Sequence, residues 1–386
     1  MKCYRRVVSL PIPHSYTDNL AHKFAAGKDD ILRPFKRTNK PILIITNTLK
    51  GDITGVQTVM NAVLKELDGF GVNYIIIHPD DVPGPNRAID VGVKIAFKYF
   101  KQKEIDKLVK EYDPIAIHIV NELFMSNCVR FYCKKNKIPF TTAYHTSWPE
   151  AANRAIGIPI SWGEAFMRFF HAPAAGVMVP SKSVKERVLN MGFDESKVRI
   201  WSHGVNTDFF RPRDRADFVP EVREIFESGK GPYMLHVGRV SAEKNIEVFL
   251  SSNVKGTKIV VGDGPGLGSL KSRYKNNKSI LFLGARNGEE LAQLYSGADV
   301  FVFPSKVETY GLVQLEALSS GTPVAAFPAE GPKNVLNSKV GAMDGNLDVA
   351  IEKALKLDSA DAREYSLNYC WKKTTLEFLS FLELLH

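Results

Sequence analysis

The chain has 386 residues, 44% of them hydrophobic and 24% charged, with 51 Lys and Arg against 42 Asp and Glu. That length allows two domains with full cores, and the composition is ordinary for a globular protein. It excludes a membrane-spanning segment, because no apolar run approaches roughly 18 residues, and the four cysteines form neither a disulfide framework nor a zinc spacing.

Residues 1–40 read as an added basic arm, with nine Lys or Arg against three Asp. No apolar core follows the basic start, so no signal peptide is expected. The cysteines are read as reduced thiols in a cytoplasmic setting, with Cys128 and Cys133 buried. From residue 41 an alternation begins. "ILIIT" (42–46) is a buried parallel strand. The polar loop "NTLKGDITG" follows it, then an amphipathic helix carrying Val56, Val59, Met60, Val63, Leu64 and Leu67. "VNYIIIHP", "PIAIHIV", "IPFTTAYH", "GVMVPS" and "KVRIWSHG" continue as strands, with helices around Ile105–Tyr112 and Cys128–Cys133. A basic stretch from Lys94, "KIAFKYFKQKEIDKLVKEY", carries six lysines against three acids. It and the arm either face anionic partners (phosphates, a membrane surface, nucleic acid) or are simply solvated.

Residues 206–230 lack a clean strand and are expected to be a linker. The alternation then restarts over 231–365 with "YMLHVGR", "TKIVVGDGP", "SILFLG", "DVFVFPS" and "TPVAAFP". The pattern predicts an α/β protein with two Rossmann-like, doubly wound domains, 41–205 and 231–365. The closing "WKKTTLEFLSFLELLH" is an amphipathic helix within 366–386, expected to cross back to the first domain.

In such sheets ligands gather where strands end and helices begin. Arg239 and Lys244 in "GRVSAEKN" suit a phosphate, as a donor fork and a point charge. The glycines of "GDGPG" permit a tight turn or a close approach to a ligand. After "VFVFPS" come Glu308, Gly311 and Glu316. A helix starting near Tyr310 would offer the amides of Gly311, Leu312 and Val313 to an anion. Carboxylates accept hydroxyl hydrogen bonds and repel phosphate. Glu308 and Glu316 therefore suit the sugar and ribose ends of a nucleotide sugar, with cations between. Either glutamate alone would be an ordinary loop or helix carboxylate.

Together, "VGRVSAEKN", "VGDGP", "FLGARNGEELAQLYSGADVFVFPS", "ETYGLVQLEALSSGTPV", "TTAYHTSWPE", "VMVPSKSVKERVLNMGF" and "IWSHGVNTDFFRP" resemble the retaining glycosyltransferases of family 4. They are most similar to the branch of GDP-mannose-dependent mannosyltransferases and diacylglycerol glycosyltransferases. The likeness covers about residues 41–386. It implies the GT-B fold with a cleft between its domains, and transfer of a hexose from a nucleotide sugar (GDP-mannose or a UDP-hexose) to a hydroxyl.

The resemblance further implies that Arg239 and Lys244 bind the diphosphate, Glu308 the transferred sugar and Glu316 the ribose. His145 would contact the donor sugar, and Gly55 would admit sugar and phosphate to the backbone. Gly238, Gly311, Leu312 and Val313 fall in the donor-binding loops, as does Arg286 in "GARNGEE", where the base would lie. Relatives often carry two adjacent glycines where this chain has Thr54-Gly55. Taken alone, His145 would be a satisfied strand-end histidine and Gly55 a helix-entry residue.

No cofactor is expected. The absence of any Asp-x-Asp argues against the metal-dependent transferases of the other main fold. The acceptor options are a glycan, a lipid met at an anionic membrane face, and, ranked below them, a nucleic-acid base hydroxyl. The aromatics of "SWGEAFMRFF" are read as core and domain interface, with acceptor binding the lesser reading. The rival functions are a GT-B epimerase or phosphorylase and a non-catalytic relative.

Overall fold

A computed structural model describes residues 27–385 except 51–53, 84–86, 91–93, 146 and 307–309. The chain divides into two compact units, one of residues 14–203 with 371–386 and the other built on 204–370.

In the first unit the strands are β1 (Ile42–Ile45), β2 (Tyr74–Ile77), a hairpin of β3 (Arg87–Asp90) and β4 (Lys94–Phe97), then β5 (Ala116–Ile119), β6 (Thr141–Ala143), β7 (Gly176–Val179) and β8 (Val198–Ile200). Six of them form a sheet in the order β2-β1-β5-β6-β7-β8, every described pairing parallel. β1 is buried at all four positions, as a strand covered on both faces must be. Leu43, Ile45, Ile117, Ile119, Val177 and Val179 point into one core. His118 lies on the opposite face, where Phe378 stands edge-on to it at 5.0 Å. The six strands expected from the sequence are therefore present. The antiparallel hairpin β3–β4 was not foreseen: β4 begins the stretch read as basic, and the four residues of β3 were not read as an element.

The helix Trp371–Phe381 belongs to this unit and packs on the helix Gly55–Phe70. The Trp201 indole donates to the Thr374 carbonyl at 3.0 Å, and the Leu385 amide donates to the Ile115 carbonyl at 2.7 Å. The carboxy-terminal helix thus packs with the amino-terminal sheet, as its unpartnered amphipathic pattern suggested.

The second unit holds β9 (Tyr233–Val237), β10 (Thr257–Val261), β11 (Ile280–Gly284), β12 (Val300–Phe303), β13 (Val324–Ala326) and β14 (Gly341–Met343). Their order is β11-β10-β9-β12-β13-β14, that of a doubly wound dinucleotide-type sheet. β14 is a sixth strand beyond the five expected; at three residues, Gly-Ala-Met, it carries almost no pattern. The passage expected to be a linker is part of this unit. Its helix Pro220–Ser228 sends Val222 and Phe226 into the core, beside Phe218. Spacing of four between those three residues is the helical signal that the surrounding charges obscured.

Candidate functional site

In the second unit the strand order reverses between β9 and β12, so the loops after those two strands diverge and leave a crevice at the sheet's carboxyl edge. Gly238 and Arg239 follow β9 directly, and Arg239 is exposed. Lys244 closes a short turn, Ala242–Lys244. The next residue, Asn245, has φ 55° and sends its side-chain amide to the Pro304 carbonyl at 3.3 Å. That bond fastens the lysine-bearing turn to the end of β12. His236 does the same one layer below, its Nδ1 lying 3.1 Å from the Val302 carbonyl. Burial is the main cause that brings His236 down to about 4, and nearby Lys244 adds to it. The ring is therefore neutral, with Nδ1 as its donor. Glu243 is the acidic neighbour of both cations. Its carboxyl is held below the usual range chiefly by the Ser241 hydroxyl, 2.5 Å away.

Glu308 lies outside the described residues. The helix after it runs Leu312–Ser319, not from Tyr310, because Gly311 stands at φ 80°, ψ 77° and cannot belong to a right-handed helix. Gly311 is thus the cap, and Leu312 and Val313 form the first turn, whose amides point out of the helix end. Both side chains are partly buried on the core. The sequence-predicted candidates Arg239, Lys244, Gly311, Leu312 and Val313 all follow β9 or β12, the two strands at the reversal point.

Glu316, one turn into that helix, receives the Tyr295 hydroxyl at 2.8 Å. Burial pushes its carboxyl up to about 7, against the opposing pull of that hydroxyl. A carboxyl whose folded pKa is raised binds more protons folded than unfolded. Its effect on stability is thus absent below about 4.5 and is a growing penalty as pH rises towards 7. The variant Glu316→Gln should therefore melt higher than the wild type at pH 8, by the equivalent of about 1–3 kcal/mol. At pH 5 the gap should close. Equal gaps at both pH values would show that the carboxyl is not perturbed.

Arg286 follows β11, two strands from β9. Its guanidinium is paired with Glu290 at 3.4 Å, on the first turn of the helix Gly288–Gly297. It is exposed and apart from the reversal point, at the outer rim. The "GDGPG" glycines, expected to permit a tight turn or a close approach to a ligand, permit a close approach to the neighbouring Gly238–Val240 loop. Gly262 has φ 137° and Gly264 φ 155°, and a Cβ on either would overlap the carbonyl oxygen of Gly238 or Val240. The loops after β9 and β10 are zipped together by Gly238 N to Val261 O at 3.0 Å, Val240 N to Asp263 O at 2.9 Å and Gly266 N to Val240 O at 2.9 Å. These glycines shape the base of the Arg239 loop.

In the first unit the reversal point lies between β1 and β5. Gly55 opens the helix Gly55–Phe70, capped by the Thr54 hydroxyl, which accepts from the Gln57 amide at 3.1 Å. Gly55 has no left-handed φ, and nothing lies within 4 Å of where a Cβ would be. His145 stands just past β6. Its ring stacks on His203 at 5.7 Å and meets Trp201 edge-on at 5.7 Å. Neither ring nitrogen has a hydrogen-bond partner among the described residues. Burial brings it down to about 4, so the ring is neutral at physiological pH.

Sequence reasoning missed the polar group around this point. Asn47, two residues past β1, donates to the Asn121 side-chain oxygen at 3.0 Å and to the Ser126 hydroxyl at 2.5 Å. Glu122 is buried 3.3 Å from the buried His171, whose other nitrogen meets the Thr142 hydroxyl at 2.8 Å. Burial raises the Glu122 carboxyl. Polar residues placed immediately after a buried strand were the available signal.

Residues 219–356 match the family described as Glycosyl transferases group 1, and residues 53–209 match Glycosyltransferase Family 4. A GDP-mannose-dependent alpha-mannosyltransferase of Mycobacterium tuberculosis is 28% identical, over 76% of this chain and 81% of its own. The alpha-monoglucosyldiacylglycerol synthase of Streptococcus pneumoniae is also 28% identical, over 84% and 80%. The sulfoquinovosyl transferase SQD2 of Arabidopsis thaliana is 30% identical over 69% of this chain, which spans 56% of that protein's length. Among solved structures, Anabaena HepE in complex with UDP has a TM-score of 0.65 at 15% identity, covering 88% of this chain and 98% of its own. Sucrose-phosphate synthase from Thermosynechococcus elongatus has a TM-score of 0.64 at 20% identity, covering 88% and 97%. At those identities the likeness is one of fold, the GT-B arrangement of two parallel α/β sheets. With a family 4 domain in its first half and a group 1 domain in its second, the chain belongs to the family 4 glycosyltransferases.

Proposed function

We propose that the protein moves a hexose from a nucleotide-diphosphate sugar to a hydroxyl of a glycan or glycolipid, retaining the anomeric configuration and using no metal. The observation that carries this reading is the gathering of Arg239, the Lys244 turn and the first amides of Leu312–Ser319 around the β9/β12 reversal point. A diphosphate bound there meets two side-chain cations and a helix amino terminus. The same groups stabilise it as it leaves, which is where charge develops. Glu316 accepts from the ribose hydroxyls, and Glu308 from the transferred sugar. Arg286, at the rim, faces the base. Neutral His145 serves as a hydrogen-bonding group towards a sugar hydroxyl, with Gly55 leaving its backbone open.

No side chain of the site is placed as a covalent nucleophile in this scheme. The acceptor oxygen bonds to the anomeric carbon on the face from which the diphosphate departs, and a departing phosphate oxygen takes the acceptor proton. GDP-mannose is the first donor to try, given the mannosyltransferases among the relatives.

The decisive assay incubates the protein with GDP-mannose or UDP-glucose, a mannoside or diacylglycerol acceptor and excess EDTA, and reads the product by NMR. An α-linked product formed in EDTA is expected. A β-linked product overturns retention, and loss of transfer in EDTA with recovery on added manganese overturns metal independence. Donor breakdown without transfer to any acceptor restores the epimerase reading.

A further inference from the structure

The aromatics of "SWGEAFMRFF" were expected as core and domain interface, and on the helix Ile160–His171 one of the four, Phe170, is in the core. Met167, Phe170 and His171 turn inward, and Gly163 lies against Pro149, where a Cβ would not fit. Trp162, Phe166 and Phe169 turn outward, 70%, 40% and 56% exposed. Their spacing of four and three puts them on one stripe. Ile156 and Ile160, which precede the stripe in the chain, are also exposed.

The stripe is held open. Arg130, buried on the neighbouring helix Phe124–Asn136, donates to the carbonyls of Phe169 and Phe170. Its guanidinium carbon lies 4.1 Å from the Phe169 ring centroid. That contact satisfies the carbonyl end of one helix and fixes the two helices to each other. Phe131, next to Arg130, is 55% exposed, and Phe124, two turns earlier on the same face, is 48% exposed.

Charge distinguishes this surface from an ordinary protein-docking patch. Lys134 and Lys135 follow Phe131 by three and four positions, and Lys137 ends the helix; all three are exposed. Beside them runs the helix Gln102–Tyr112, tied on by the Tyr132 hydroxyl to Asp106 at 2.8 Å and Gln102 to the Cys128 carbonyl at 3.0 Å. It presents Lys103, Lys107 and Lys110 at the surface. Aromatic side chains flanked by lysines match an interface between acyl chains and anionic headgroups. Protein interfaces, by contrast, are depleted in lysine.

We infer that this surface, the outward stripe Trp162–Phe166–Phe169 with Phe131 and its flanking lysines, docks the protein on an anionic phospholipid bilayer. The rings enter the headgroup boundary and the ammonium groups stay at the phosphates. The inference stands apart from the transfer chemistry, because docking needs no donor.

The test uses the full chain without nucleotide sugar, sedimented with vesicles of phosphatidylglycerol and phosphatidylcholine. Binding is expected, falling as salt rises and weak on phosphatidylcholine alone. Replacing Trp162, Phe166 and Phe169 together by serine should lower partitioning about tenfold or more. The variant Lys134→Glu/Lys135→Glu should lower it on anionic vesicles only. Brominated lipid should quench wild-type fluorescence more than that of Trp162→Phe, a variant that carries the test even if the triple variant fails to fold. Absence of vesicle binding, equal binding by a folded triple variant, or equal quenching overturns the inference. So does a wild-type dimer that the triple variant converts to monomer with no lipid bound, since the stripe would then serve a second copy of the chain.

Discussion

Alanine in place of Arg239 or Lys244 is expected to lower kcat by about 10²–10³ each, the usual effect of losing one group that stabilises developing charge. Both act on the same leaving diphosphate, so the double variant should lose less than the product of the two. Arg239→Lys should recover only part of the activity, because an ammonium cannot present the forked donors of a guanidinium. Stability should hardly change. Arg239 is exposed, and the Lys244 turn is anchored by the bond from Asn245 to the Pro304 carbonyl, which neither substitution removes. A double variant that transfers sugar at the wild-type rate would remove the diphosphate site from this crevice.

The second large effect is expected at Gly262. An alanine there puts a methyl group into the Gly238 carbonyl oxygen and holds a left-handed φ of 137° that L side chains rarely adopt. Relief requires parting the loops after β9 and β10, which several backbone hydrogen bonds hold together. The expected cost is about 3 kcal/mol or more, in the range of strained backbone plus overpacking. That should appear as a melting point lower by about 10 °C. Any folded remainder should bind donor poorly, since Gly238 leads directly into Arg239. Gly55→Ala is the contrast: with open space at its Cβ position and an ordinary φ, it should melt like the wild type. Loss of kcat/KM in that variant would then report a ligand at the backbone, and full activity would leave Gly55 as a helix-entry residue. Wild-type stability in Gly262→Ala would refute the loop packing.

Most strands of both sheets were legible because parallel strands buried on two faces read as short apolar runs. "ILIIT" and "VFVFP" are of that kind. Elements without such runs escaped: β14 is three residues long, and β3 and β4 are four residues each with at least one charged end. The passage 206–230 looked like a linker because Arg and Asp surround the three core positions 218, 222 and 226. Of the candidate site residues, those that follow β9 and β12 fall beside a reversal point, where chain order alone puts them. What sequence could not supply was orientation. The outward turn of Trp162, Phe166 and Phe169 depends on which face of the helix meets Pro149. The work of the "GDGPG" glycines depends on a neighbouring loop more than twenty residues away.

The helix Trp371–Phe381 has a consequence for biosynthesis. Residues 14–203 are synthesised before residues 204–370, yet the first unit lacks the cover over His118 and Trp201 until Phe378 and Thr374 arrive. Residues 204–370 are contiguous and can complete their own core earlier in translation. The unit that starts first therefore finishes last. A nascent chain stalled before residue 371 would leave one flank of the first sheet uncovered, a bare apolar surface open to chaperones or aggregation until synthesis resumes.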